Sequence, residues 1–210
     1  MKKIVLIGDS IRMGYDKYIR LAFEGQAEVY YPAENCRFAA YVLRNLSDWR
    51  EQMQCGDDVD CVHFNAGLWD TLHLADGKPL TPIDVYAEYM ERVCTAVRYY
   101  YPAAKVIFAT STPVIEELFG AFKRYNREIE AYNERATAIV TRHGFAVNDL
   151  YALMKDAPRA CHSDMTHFYT KDGTRLITDR VASVIGETLG LAPKALDYDA
   201  LFASVEPVGI

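Results

Sequence analysis

Apolar residues nowhere run to the ~18 consecutive positions that a membrane-spanning helix requires, so no transmembrane segment is expected in this sequence. The first strand-like run, Ile4 to Ile7, begins directly after Met1-Lys2-Lys3 and is too short for the core of a signal peptide. A cytoplasmic protein is therefore the expectation. Basic clusters are also lacking. With 23 Lys and Arg against 29 Asp and Glu, the formal net charge is -6, which aids solubility and argues against nucleic acid, whose phosphates are held by grouped cations. Cysteine is sparse: Cys36, Cys55, Cys61, Cys94 and Cys161 have no paired spacing, and their odd number points to reduced thiols rather than a disulfide framework. Without a C-x-x-C, a structural zinc site is not expected. The sequence also has no internal repeat and no low-complexity segment.

What is present is the composition of an ordinary globular chain, half apolar or aromatic and a quarter charged. Its 210 residues fit one hydrophobic core. Short runs rich in Val, Ile, Phe and Tyr predict strands at Lys3 to Ile7, Glu28 to Tyr31, Val59 to Asn65, Lys105 to Thr110 and Gly144 to Asn148. Between them, apolar residues at helical spacing predict helices at Ile11 to Phe23, Phe38 to Gln52, Ile83 to Tyr100, Phe119 to Arg142 and Lys171 to Leu189. Pro102, Gly144 and Gly190 follow three of these as stop signals.

Such alternation implies an α/β fold: a three-layer α/β/α sandwich around a flavodoxin-like, doubly wound, parallel five-stranded sheet, with ligands at the carboxyl ends of the strands. The expected domain is 1–190. The tail, 191–210, contains Pro193 and Pro207, mixes apolar with acidic residues, and is expected to drape over the domain or pack against a partner subunit of a homo-oligomer.

Chemistry-bearing residues gather at the two ends of the chain. The first strand ends in Ile7-Gly8-Asp9-Ser10 and leads into Ile11-Arg12-Met13-Gly14, which presents a hydroxyl where a strand turns into a helix. There, unpaired N–H groups and the positive end of the helix dipole can stabilise a developing anion. Serine in such a place also serves simply as a helix cap. Near the other end, Ser163-Asp164-Met165-Thr166-His167 sets a carboxylate three residues before an imidazole, close enough to accept from its ring N–H. An imidazole is the side chain best matched to take and return a serine proton near neutral pH. Cys161 and His162 lie beside this pair, but four ligands within seven positions cannot readily converge on one ion, so no metal is expected.

At these residues the chain resembles the SGNH hydrolases, the GDSL-type esterases and lipases. Gly8-Asp9-Ser10-Ile11 with Gly14 looks like the family's first block, and Asp164-Met165-Thr166-His167, followed by Gly173 and a terminal helix, looks like its last. The resemblance implies Ser10 as nucleophile, His167 as general base and Asp164 as the group orienting it, with no cofactor. It also implies an oxyanion hole built from the Ser10 N–H and two interior donors. By position Cys36 replaces a family glycine and would contribute its backbone N–H, while in Asn65-Ala66-Gly67-Leu68-Trp69-Asp70 the family asparagine falls at Trp69, so that either Asn65 or Trp69 would supply the remaining donor. Asp9, Arg37, Gly67 and His73 are expected along the substrate, and each also has an ordinary structural reading.

The expected activity is hydrolysis of a short-acyl ester, a small-molecule substrate, with an O-acetyl group on a carbohydrate as the family analogy. The alternative is a non-catalytic protein that keeps the fold and binds a glycan or a partner in the same cleft.

Overall fold

The computed structural model of the chain describes residues 1–203. Five strands, β1 (Lys2–Ile7), β2 (Ala27–Tyr30), β3 (Cys61–Phe64), β4 (Lys105–Ala109) and β5 (Ala146–Asn148), form one sheet in the order β2-β1-β3-β4-β5. Every pairing is parallel, with Ile4 opposite both Val29 and Cys61. The helices are α1 (Ser10–Ala22), α2 (Ala39–Met53), α3 (Ile83–Tyr100), α4 (Asn126–Arg142), the short α5 (Leu150–Met154), α6 (Lys171–Leu189) and α7 (Tyr198–Ala203).

Successive strand residues point to opposite faces, and both faces are covered. Val5, Ile7, Val62, Phe64, Val106 and Phe108 pack with α2, α3 and α4. Ile4, Leu6, Cys61, Ile107 and Ala109 pack with α1, α5 and α6 on the other side. This explains why β1, β3 and β4 read as continuous apolar runs rather than as alternating ones. The three-layer, doubly wound α/β sandwich anticipated from the alternation is the architecture observed.

Within residues 1–190, two helices differ from expectation. The helix predicted over Phe119 to Arg142 begins only at Asn126. Residues 119–125 form instead a loop pinned by side chains: Asn126 Oδ1 accepts from Val114 N–H and its Nδ2 donates to the Val114 carbonyl, both at 2.9 Å. Phe119 and Phe122 have helical spacing, but Phe122 is 53 % exposed, so that spacing does not reflect a buried face. The second difference is α5, too short to show a period, started by Asp149 as its N-cap with Oδ1 accepting from Ala152 N–H.

Within the tail, residues 191–203 lie against α1 and α6. Lys194 N–H donates to the Ala22 carbonyl at 2.7 Å, Tyr198 Oη donates to Asp179 at 2.8 Å, and Phe202 stacks on Tyr18. The remainder of that tail, 204–210, lies outside the described residues. No helix among the described residues is long and apolar enough to cross a membrane.

Candidate active site

The strand order reverses between β1 and β3, and a crevice forms outside the carboxyl ends of the strands at such a switch point. Ser10 follows β1 and Asn65 follows β3, so topology alone brings these two loops together. The helix cap at this junction is Asp9, not Ser10: Asp9 Oδ1 accepts from Ile11 N–H at 2.9 Å. Ser10 is the first residue of α1, where the helix offers its N–H no internal partner, and its hydroxyl is available for other contacts.

His167 supplies one. Its Nε2 lies 2.8 Å from Ser10 Oγ, and its Nδ1 lies 2.7 Å from Asp164 Oδ2. The other Asp164 oxygen accepts from the N–H groups of Thr166 at 2.6 Å and His167 at 2.8 Å. This local turn is what sets the carboxylate under the ring three residues later. Desolvation alone would raise the Asp164 carboxyl, but the two N–H donors and the imidazole outweigh it and hold the group below its ordinary value. Asp164 thus stays ionised and keeps Nδ1 as the protonated ring nitrogen, leaving Nε2 as an acceptor toward Ser10.

Tyr169 went unnoticed in the sequence. Its hydroxyl donates to the Ser10 carbonyl at 2.6 Å and its ring stacks on that of His167, with centroids 4.7 Å apart. Gly14 makes room for it, since a Cβ there would stand 2.6 Å from Tyr169 Cε1. The glycine four residues after Ser10 therefore serves the histidine side of the site through an aromatic ring. Gly8 plays a matching part on the other side: a Cβ at Gly8 would come within 2.0 Å of Asn65 Oδ1.

The anticipated oxyanion donors fare differently. Cys36 is fully buried and its N–H donates to the Gly8 carbonyl at 3.1 Å, so that N–H is already committed, which corrects the expectation. The left-handed backbone that favours glycine occurs one residue later, at Arg37 with φ of 53°. The N–H of Arg37 is held by Asn35 Oδ1 at 2.8 Å. Asn65 abuts Gly8 and Asp9, the two residues before Ser10; its side chain donates toward the Asp9 carboxyl, and its Oδ1 is buried with no hydrogen-bond partner among the described residues. Trp69 is partly exposed beside Arg124.

The residues expected along the substrate are mostly structural. Asp9 is completely buried, with Oδ2 unpaired, and burial raises its carboxyl against the opposing influence of Asn65 and the Ile11 N–H. It faces the protein rather than a ligand. His73 is tied into its own loop, Nδ1 to the Gly77 carbonyl at 2.9 Å and Nε2 to Glu128 at 2.6 Å. Gly67 has φ of 143°, and a Cβ there would stand 3.0 Å from both Ser111 Oγ and Tyr86 Oη. Arg37 remains exposed, its guanidinium over the Tyr41 ring. Arg12, two residues after Ser10, is spent on Asp16 and on the carbonyls of Gly8 and Glu34. Asp70 caps α2 from a distance, Oδ2 accepting from Ala39 N–H at 3.0 Å, and its burial pushes the carboxyl up to about 7.

Comparison with solved structures follows this geometry. An acetyl xylan esterase superposes with a TM-score of 0.69 at 20 % identity, covering 87 % of this chain and 99 % of that one. A lipase/acylhydrolase from Enterococcus faecalis gives 0.70 at 22 % identity over 93 % of this chain and all of the other. A member of the lipolytic G-D-S-L family from Veillonella parvula gives 0.67 at 17 %, covering 88 % and 98 %. The chain has the SGNH-hydrolase fold. No protein-family model matches the sequence, and no curated protein matches it either. Within the SGNH-hydrolase fold, Ser10 sits after the first strand and the Asp164–His167 turn sits before the last long helix, α6.

Proposed function

We propose that this protein is a serine ester hydrolase acting on short-acyl esters, with O-acetyl groups on carbohydrate as the substrate class suggested by the acetyl xylan esterase likeness. The observation that carries the reading is the unbroken hydrogen-bonded relay from Ser10 Oγ through His167 to Asp164, with steps of 2.8 and 2.7 Å. Residues 157 positions apart in sequence meet at hydrogen-bond distance, and a base within such reach is the geometric requirement for activating a hydroxyl.

In this reading Ser10 Oγ attacks the ester carbonyl while His167 Nε2 takes its proton, and the charge on the carbonyl oxygen is met by the Ser10 N–H and the Asn65 amide. Collapse of the tetrahedral intermediate expels the alcohol, protonated by His167. Water then attacks the Ser10 acyl ester, gives a proton to the same nitrogen and releases the acid. Asp164 keeps the imidazole oriented and stabilises its cationic form. Tyr169 positions His167 by stacking.

The test is hydrolysis of 4-nitrophenyl acetate together with labelling by a fluorophosphonate. Ser10→Ala is expected to abolish both, and Asp164→Asn to lower turnover by on the order of 10³–10⁴-fold. Hydrolysis undiminished in Ser10→Ala rejects the nucleophile. A wild-type protein that neither hydrolyses esters nor takes the label would favour the non-catalytic binding alternative.

A further inference from the structure

Two arginines are buried near the nucleophile, and they differ in how their charge is met. Arg12, 1 % exposed, is engaged at each of its three nitrogens: Nη1 pairs with Asp16, and the carbonyls of Gly8 and Glu34 accept from Nε and Nη2. Arg124, 8 % exposed, donates only through Nε, to the Leu68 carbonyl at 2.7 Å. Its outer nitrogens, Nη1 and Nη2, have no hydrogen bond or ion pair among the described residues. Leaving a buried cation without a hydrogen-bonded counter-charge is costly, and burial indeed disfavours its charged form while Asp9 favours it.

The side chain is also held in place. Its Cζ lies 6.0 Å from the Trp69 ring centroid and 5.9 Å from that of Phe119, and Nε anchors it to the loop that carries Asn65. The other end of its own loop is tied to the histidine loop by the Ile115 N–H, which donates to the Met165 carbonyl at 2.8 Å. Asp9, adjacent to the nucleophile, feels the charges of both Arg124 and His167. The guanidinium is therefore held between the loop that carries Asn65 and the loop tied to that of His167, its orientation fixed by Nε and two rings and its outer nitrogens unbonded among the described residues.

We infer that Arg124 recognises a carboxylate on the substrate, so that this site hydrolyses acidic esters in preference to neutral ones. The inference deepens the esterase reading above and rests on it. A guanidinium edge matches the two oxygens of a carboxylate in geometry and in charge. A phosphate monoester offers the same oxygens but would bring a second negative charge beside Asp9 in a chain of net charge -6. Trp69, which departs from the expected asparagine, gains a role here as one wall of the arginine's slot.

The experiment compares kcat/KM for two matched pairs of esters in wild type, Arg124→Gln and Arg124→Lys. In one pair the charge is in the alcohol, 3-acetoxybenzoate against 3-acetoxybenzamide. In the other it is in the acyl group, mono-4-nitrophenyl adipate against its primary amide. In at least one pair, the wild-type ratio of acid to amide is expected to exceed about 10, to fall by about 10- to 100-fold in Arg124→Gln, and to recover in part in Arg124→Lys, as for a charge-assisted hydrogen bond.

Ratios near one in wild type for both pairs, or ratios unmoved by Arg124→Gln, overturn the inference. Adding 3-phosphonooxyphenyl acetate shows whether phosphate is the preferred anion, which would overturn the choice of carboxylate. Should Arg124→Gln not fold, inhibition of the wild-type enzyme by 3-hydroxybenzoate against 3-hydroxybenzamide decides, and equal inhibition rejects the proposal. Ser10→Ala measured on all four matched esters separates the two readings. Ser10-dependent hydrolysis without charge preference sinks only this inference, whereas hydrolysis that survives in Ser10→Ala sinks both.

Discussion

In the proposed reaction Gly14, a residue with no chemistry of its own, governs the base through the Tyr169 ring that stacks on His167. Alanine is the better helix former by about 1 kcal/mol, so helix propensity alone predicts that Gly14→Ala stabilises α1. The added methyl would stand 2.6 Å from the Tyr169 ring, which must move and take its stacking on His167 with it. A shift of the base by a fraction of an ångström is enough to cost on the order of 10- to 100-fold in turnover. Gly14→Ala is therefore expected to lower kcat far more than it changes KM. In a Tyr169→Ala background, where the ring is gone, the same substitution should cost much less. Additive effects of the two changes would show that Gly14 does not act through Tyr169. Ser10 and His167, which the fold brings to hydrogen-bond distance, were legible because each sits in a short motif at a recognisable boundary. Tyr169 and Arg124 were not, because a tyrosine two residues past a histidine and an arginine in Lys123-Arg124-Tyr125 look like solvated surface until the fold places them.

At the scale of elements, strands β1, β3 and β4 were legible as short continuous apolar runs buried on both faces, and helices α3 and α6 because burial of one face leaves a period in the sequence. The segment before α4 was not, since its order comes from one asparagine rather than from a buried face. Asn126 bonds both polar groups of Val114 and offers its own N–H to Glu116 Oε1 at 2.7 Å. These bonds close the base of the loop that holds Arg124. Asn126→Ala leaves the Val114 groups unpaired, at a cost of about 1–3 kcal/mol, or a fall of about 3–10 °C in Tm for a chain of this size. The loss should be local as well as global. Hydrogen exchange is expected to quicken across residues 114–126 before it quickens in β3 or β4. Uniform acceleration across the sheet would show instead that the loop is held by something other than this side chain.

Across the whole molecule, two buried ionisable groups make opposite demands on pH. His63 lies within β3, fully buried, with Nε2 accepting from Asn148 Nδ2 at 3.2 Å and Nδ1 3.4 Å from Tyr15 Oη. Burial pushes it down from 6.5 to about 4, so the folded state keeps it neutral where the unfolded chain would protonate it. Its contribution is present above pH 6.5 and is lost as pH falls through about 4, at most about 3 kcal/mol. Asp70 is raised from 3.8 to about 7, chiefly by burial. Its contribution has the opposite sense, present below pH 3.8 and lost as pH rises through about 7, by a comparable amount of about 4 kcal/mol at most. In the wild-type protein the two slopes largely offset each other between pH 4 and 7. Each single variant should uncover the other. The stability deficit of His63→Leu relative to wild type, measured by urea unfolding, is expected to shrink as the pH is lowered from 7 to about 4.5, because only the wild type then pays to keep the imidazole neutral. Asp70→Asn retains an oxygen to accept from Ala39 N–H while removing the charge, and it should gain on wild type as the pH rises over the same interval. Parallel stability curves for all three proteins would mean that neither group titrates within the core, and that the burial separating them from water is incomplete.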